Sequence, residues 1–386
     1  MRTERLYYSD CYLRKFDATV MEAADGGRRI YLDRTAFYPT SGGQLFDLGT
    51  LGGIPIAEVV DEEDRVAHVM TAPVLAEAVG GEIDWDRRYD LMQQHTGQHL
   101  LSAVLEELFG LKTVSVHMGL ESSTVDVSAA VVTEQQLERA EQRCAAIIAE
   151  ARPVEISFED SSGDLGLRKE SARSGTLRIV SIHGVDRSAC GGTHLRSSAE
   201  IGLVLTGKLD KIRGATRIEF VCGNRALRRA RNDNQTLAGI TRALSMPAEQ
   251  AAGRIAALTE QTKSIEKERL RLATELARRE GRELYTATDQ DSSGVRRVRQ
   301  DAVIDDAMRV RAQAFVANPN AVFLAVSAAP PSVLLACSTD SGMNAGDRLK
   351  AALAKVAGRG GGNQALAQGS VPDVDALERL VEDLFQ

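Results

Sequence analysis

The sequence predicts an α+β multidomain protein. Its expected parts are a small N-terminal β-barrel (residues 1–88), an α+β domain (89–224), a helical linker (225–288) and a C-terminal α/β domain (289–386). Three observations carry this reading. A chain of 386 residues exceeds the roughly 100–200 of one ordinary domain. Its apolar residues first alternate in short runs, then recur at three- and four-residue intervals, then do both by turns. Hydrophobic residues at 43% and charged residues at 26% match a globular composition, which excludes a disordered or fibrous chain.

In the first block, Val20–Met21, Arg29–Leu32, Gly53–Val60 and Arg65–Met70 alternate or carry β-branched residues between Gly and Asp clusters. Short strands of this kind close into small barrels. From Asp86 to Phe109 the pattern becomes helical, with Leu91, Met92, Leu100, Leu101, Val104, Leu105 and Leu108 on one spacing and Gly110 placed as its C-terminal cap. Strands are expected near 113–117 and 123–127, a helix from about 134 to 151, and strands near 154–158, 177–183, 202–208 and 216–222. That succession points to a mostly antiparallel sheet with helices beside it.

Residues from about 225 to 284 read as charged helix broken near Pro247. Ile255, Leu258, Ile265, Leu272 and Leu276 form an apolar seam that Thr262 and Arg269 interrupt, so a short hairpin or coiled coil is expected rather than a long rod. After a turn at 289–294 come a helix near 304–315, strands near 322–327 and 333–338, and a helix near 345–356. A Gly-rich loop, Gly358–Asn363, then precedes a last helix from Val374.

The net charge of −7 argues against a surface that coats nucleic acid throughout. Residues 225–300 differ from the rest, with 16 basic against 10 acidic side chains. A local basic stripe there could meet phosphate. The first residues hold no apolar run, and the most apolar window, Ala321 to Cys337, is interrupted by Pro330 and Pro331 and is too short for a bilayer. Five scattered cysteines do not form a disulfide framework. A cytoplasmic protein without a membrane segment is expected.

Three motifs carry chemistry. His95-Thr-Gly-Gln-His99 places two imidazoles four residues apart, on one helical face. A metalloprotease would need Glu where Thr96 stands, which disfavours that class. Cys190-Gly-Gly-Thr-His194 brings a thiol and an imidazole together across two glycines, expected to form a tight turn. Together the two motifs supply a three-nitrogen, one-sulfur set suited to zinc, either as a closed structural site or as part of an active one. The third, running from Leu32 through Thr35, Phe37 and Tyr38 to Gly42-Gly43-Gln44 and Asp47, is a glycine turn followed by an amide. Of the other histidines, His68 is expected on an exposed strand. His117 and His183 stand either beside the ligands or at strand edges.

In order and spacing, LDRTAFYPTSGGQLFDLG, QHTGQHLLSAVLEELFG and SACGGTH resemble the editing domain of alanyl-tRNA synthetase, and most nearly the free-standing AlaX editing proteins in their long form. The likeness covers about residues 1–225. The C-terminal part, with STDSGMNAGDRLKAALAKVAGRGGGNQALAQGS, resembles the DHH-associated domain, although no Asp-His-His tripeptide occurs. After CGGTH the chain keeps Glu200-Ile-Gly202 but has Ala199 where the family has Gly.

The resemblance implies zinc held by His95, His99, Cys190 and His194, with Thr35 and Gln44 lining an aminoacyl pocket. It implies a hydrolase that deacylates alanine tRNA mischarged with serine or glycine and does not aminoacylate, since the editing motifs begin at residue 32 and leave no room for a synthetic core. The alternatives are a tRNA-binding module with a structural zinc, or an editing protein acting on another mischarged tRNA. tRNA(Ala) is the implied partner. The helical linker or C-terminal domain is open to a homodimer contact.

Overall fold

A computed structural model describes residues 2–171 and 174–385. They form a mixed α+β architecture in two units, Met1–Ile240 and Thr241–Gln386.

The first unit opens with six strands, Lys15–Ala24, Arg29–Leu32, Gly49–Leu51, Ile54–Glu62, Arg65–Met70 and Ala78–Ile83. Each hydrogen-bonds antiparallel to its neighbours, and the circuit of pairings closes on itself. Ile30, Leu32, Phe37, Leu51, Val59 and Val66 form one buried core there. Alternation along the strands accounts for it, since every second side chain meets that core.

Helix α1, Trp85–Phe109, follows at once. Asp84 caps its start by accepting from Arg87 N, and Gly110 ends it in the left-handed conformation (φ 66°). Helix α2, Glu134–Ala149, begins in a reciprocal capping box between Thr133 and Gln136. A four-stranded antiparallel sheet, in the order Val204–Ile212, Ala215–Cys222, Ser123–Val127, Thr113–Met118, and a three-stranded one, Val154–Asp160, Thr176–Ile182, Asp186–Ala189, complete this block. Leu100, Leu101 and Val104 of α1 share a core with Ile147, Val180, Ile218 and Phe220. Ala199 lies in a short 3-10 helix, Ser198–Ile201, and the left-handed residue is Gly202 (φ 76°). The departure from the family pattern therefore falls where glycine is not required.

Helix α3, Gly223–Leu244, and helix α4, Ala248–Ala287, are separated at Ser245–Pro247. Pro247 breaks the region as the sequence predicts, but α4 then runs unbroken for 40 residues, against the expected short segments. The residues that interrupt the seam are compatible with helix. Thr262 Oγ1 donates back to Leu258 O (2.9 Å), and Arg269 pairs with Glu266 one turn earlier.

Helices α5 (Asp306–Val316), α6 (Ala345–Lys355) and α7 (Val374–Phe385) accompany a five-stranded sheet ordered Arg296–Asp301, Ala321–Ala328, Pro331–Cys337, Leu366–Ser370, Arg359–Gly362. Only its first pair is parallel. Phe323, Ala325 and Leu334 pack with α5, and Val322, Leu324 and Leu335 with α6 and α7. Burial on both faces explains the continuous apolar runs of the central strands. The segment expected as a Gly-rich loop is instead the edge strand Arg359–Gly362. A Cβ on Gly360 would lie 2.4 Å from Gln368 O, so glycine lets the neighbouring strand approach. Among the described residues no helix is long and apolar enough to cross a membrane.

Candidate metal centre

Helix α1 carries His95 and His99 one turn apart, both almost fully buried. Cys190 follows the strand Asp186–Ala189, and the chain then turns back to bring His194 beside α1. One potential ligand atom from each of His95, His99, Cys190 and His194 lies within 4.8 Å of the others. Cys190 Sγ is 3.4 Å from His95 Nε2 and 3.3 Å from His194 Nε2.

The far side of every imidazole is occupied. His95 Nδ1–H donates to Gln44 Oε1 (2.7 Å), an oxygen that also accepts from Thr193 N (3.1 Å). His99 Nδ1–H donates to Asp186 Oδ2 (2.7 Å). His194 Nδ1–H donates to Thr96 Oγ1 (3.2 Å), which also takes Leu195 N–H (3.1 Å). With all three Nδ1 atoms serving as donors, the three Nε2 atoms face one point beside the Cys190 sulfur. Outer hydrogen bonds of this kind fix ligand tautomer and orientation in metal sites. A cluster of imidazole nitrogens and sulfur suits a soft-to-borderline cation such as zinc.

The electrostatics agree. Burial works to raise the Cys190 thiol's pKa, yet His95 and His194 beside it hold it well below its ordinary value. Burial and the neighbouring His95 push His194 down to about 3. Burial alone would lower His99, but hydrogen bonds to Asp186 and Cys190 raise it to about 9. Binding a cation there would release the proton on His99 and free Nε2 to coordinate.

Local geometry explains the motif letters. Ser41 and Gln44 exchange two backbone hydrogen bonds around Gly42 (φ 57°) and Gly43 (φ 85°), a two-residue turn that needs left-handed backbone at both positions. This turn aims Gln44 at His95. The two glycines after Cys190 have no positive φ, so the turn that brings Cys190 and His194 together does not use left-handed backbone at either. Gly192 is required by contact, because a Cβ there would lie 2.1 Å from His95 Cε1. Gly191 meets nothing closer than 3.6 Å.

Residues 177–219 match the threonyl and alanyl tRNA synthetase second additional domain. The chain is 36% identical over 239 residues to the alanyl-tRNA editing protein AlaX-L of Pyrococcus horikoshii, covering 58% of this chain and 59% of that protein. It is 30% identical over 290 residues to the alanyl-tRNA editing protein Aarsd1 of Danio rerio, covering 69% and 70% respectively. An alanine–tRNA ligase of Pyrobaculum aerophilum is 35% identical over 249 residues, covering 59% of this chain and 28% of that enzyme. The chain belongs to the alanyl-tRNA editing protein family. It spans somewhat under two thirds of the archaeal relative's length and somewhat over two thirds of the zebrafish one's.

In this family member the remaining predicted residues fall as follows. Gln44 is fully buried and engages His95 and Thr193, with Gln44 Nε2 donating to Thr193 Oγ1 (2.8 Å). Thr35 is also fully buried, and its Oγ1 lies 2.8 Å from His68 Nε2. His68 is not the exposed strand residue expected from the sequence but wholly enclosed. His117 and His183 are exposed, and Gln44, Thr96 and Asp186 support the imidazoles instead.

Sequence reasoning missed Asp186 and the Arg88–Asp47 pair. Arg88 Nε donates to Asp47 Oδ1 (2.8 Å), and its other nitrogens reach Cys11 O and Ala36 O. Asp47 also accepts from Tyr38 N (2.6 Å), so this fully buried pair ties α1 to the Gly42-Gly43-Gln44 segment. Asp47 follows Gln44 by three residues, a local signal that could have pointed to it. Asp186 lies four residues before Cys190 and carries no comparable mark.

Proposed function

We propose that the protein hydrolyses the ester of alanine tRNA mischarged with serine or glycine and does not form aminoacyl-tRNA. The carrying observation is the convergence of three oriented imidazoles and a thiol in a chain of the alanyl-tRNA editing family. Zinc on His95, His99, Cys190 and His194 would supply positive potential and help hold the acceptor end. Four protein ligands favour that orienting role over an open coordination position.

Gln44 keeps His95 in the tautomer that presents Nε2, and links it to Thr193. Thr35 is the candidate for discrimination. His68 Nδ1 faces a carbonyl, Ile30 O (3.2 Å), so Nδ1 bears the proton and Nε2 accepts from the Thr35 hydroxyl. Phe37 N–H donates to the same Thr35 oxygen (3.1 Å). Thr35 thus offers a substrate only a lone pair. A serine hydroxyl could donate to it and alanine could not, a contrast that gives strong selectivity.

The test is a time course of deacylation with Ser-, Gly- and Ala-charged tRNA(Ala), together with elemental analysis. About one zinc per chain and faster loss of serine than alanine are expected. Cys190→Ala should lower both zinc content and rate, and Thr35→Val should narrow the serine-to-alanine ratio. Hydrolysis at the uncatalysed rate by zinc-loaded protein would favour a tRNA-binding module instead.

A further inference from the structure

The strands Val154–Asp160 and Thr176–Ile182 pair in register up to Asp160 opposite Thr176. Two residues could close such a hairpin, yet the chain makes an excursion over 161–175. The described part of that excursion brings Arg168 back against the strand Asp186–Ala189, where Arg168 N donates to Arg187 O (2.8 Å). Its guanidinium then reaches Asp186, with Nε 2.5 Å from Oδ1, and also Ser188 Oγ (3.4 Å). Asp186 is fully enclosed, and its other oxygen holds His99 Nδ1 at 2.7 Å. Ser188 Oγ donates to the same carboxylate (2.9 Å to Oδ2).

A carboxylate with one oxygen on a ligand histidine can still rotate. Arg168 Nε on its second oxygen, with the same guanidinium braced on Ser188 Oγ, restrains that rotation. Its guanidinium bonds on this strand go to Asp186 and to Ser188, whose hydroxyl itself donates to Asp186, so its hold on His99 passes through that carboxylate.

The same residues border a cavity of about 1040 Å³, whose lining includes Glu106, Gly166, Arg168, Asp186 and Arg187 but none of the four ligands. Arg168 and Asp186 are thus where the wall of this cavity and the support of the centre coincide.

We propose that Arg168 is a positioning residue for the metal centre. By clamping Asp186, Arg168 holds His99 with Nδ1–H outward and Nε2 inward, and so governs how tightly the metal is retained. The proposal rests on the zinc reading above and goes beyond it by assigning an outer support carried on a connecting segment.

The experiment measures zinc affinity by competition with a chromogenic chelator in the full chain, and the absorption spectrum after cobalt replacement. Arg168→Gln, Arg168→Lys, Asp186→Asn and the Arg168→Gln/Asp186→Asn double variant are compared. Loss of outer support commonly weakens metal binding by about 10–100-fold. Arg168→Gln is expected to weaken zinc by about tenfold or more and alter the cobalt bands, with Arg168→Lys partly restoring both. In the Asp186→Asn background, Arg168→Gln should add nothing, because its route is already cut. Should Arg168→Gln fail to fold, Arg168→Lys is read in its place, and wild-type zinc affinity and cobalt spectrum there would overturn the proposal. Wild-type affinity and spectrum in Arg168→Gln, or full additivity in the double variant, would overturn the proposal. An unaltered chain that binds no zinc would sink the zinc reading itself, a different and separately visible outcome.

Discussion

His68 shows how one buried imidazole can govern a neighbour. It is enclosed completely, and burial lowers its pKa from 6.5 to about 4. At neutral pH it is therefore uncharged, with a fixed tautomer set by Ile30 O, and Thr35 has no choice but to donate to it. Because the folded value lies below the ordinary one, the unfolded chain takes up the proton first as pH falls. Stability from this source is complete above about pH 6.5 and is lost as pH falls toward 4. A shift of this size corresponds to roughly 3 kcal/mol. His68→Gln can keep a donor toward Ile30 and an acceptor toward Thr35 without titrating. The variant's thermal midpoint should accordingly fall less steeply than the wild type's between pH 6.5 and 4. Parallel curves through that window would show that His68 does not titrate across it. Asp47 poses the opposite case, a charge that is buried and paired. Asp47→Ala would leave Arg88 enclosed without its partner, and about 3–5 kcal/mol of destabilisation is expected by chemical denaturation.

Helix α1 carries two ligands, and its spacing against the neighbouring sheet is set by a residue that has no side chain. Gly97 sits between the histidines, and a Cβ there would lie 2.2 Å from Cys222 Sγ and 3.2 Å from Cys222 Cβ. Gly97→Ala should therefore push α1 away from the strand Ala215–Cys222, lowering both the thermal midpoint and zinc affinity. Adding Cys222→Ala removes the sulfur and leaves an approach the packing can absorb, so the double variant should recover most of both. Failure of that rescue would place the cost in α1 itself and not at its meeting with the strand. The same helix separates what is legible in the sequence from what is not. The apolar periodicity of α1, the four-residue interval of His95 and His99, and the Cys190–His194 pair are local patterns, and the structure retains them. Asp186, Arg168 and the link from Gln44 to His95 join residues far apart in the chain, and no local pattern marks such pairings. The continuous α4 escapes sequence reading for a different reason. Thr262 and Arg269 look like interruptions to an apolar seam, but both satisfy their polar groups within the helix.

On the scale of the whole chain, charge is distributed more narrowly than the sequence totals suggest. The surplus of six positive charges over residues 225–300 could lie along the entire helical region. Most of it belongs to α3, with five basic residues and only Asp233 acidic, whereas α4 has eight basic against seven acidic. Along α4, Lys263, Arg269, Arg271 and Arg279 pair with glutamates a turn away, which neutralises them locally. On α3, Arg228 and Arg231 are exposed, while Arg225 is buried against Asp90. If the protein grips tRNA by its phosphates, Arg228 and Arg231 are the side chains to meet them, and the long helix contributes little. Arg228→Ala/Arg231→Ala should weaken binding of full-length tRNA(Ala). The log–log dependence of that binding on salt should flatten by about one unit for each arginine that no longer neutralises a phosphate. Cys190-dependent hydrolysis of a short acceptor-stem mimic should stay near the wild-type rate. Truncation must respect the fold, because a cut near residue 224 would remove Arg225 and leave Asp90 without its partner. A cut after Leu244 keeps α3 whole and removes most of the second unit. If α3 dominates, this shortened chain retains most of the salt-dependent affinity. If the affinity and its salt slope vanish with residues 245–386 and survive the double arginine change, the phosphate-binding side chains lie in the second unit, and α3 has no part in the grip.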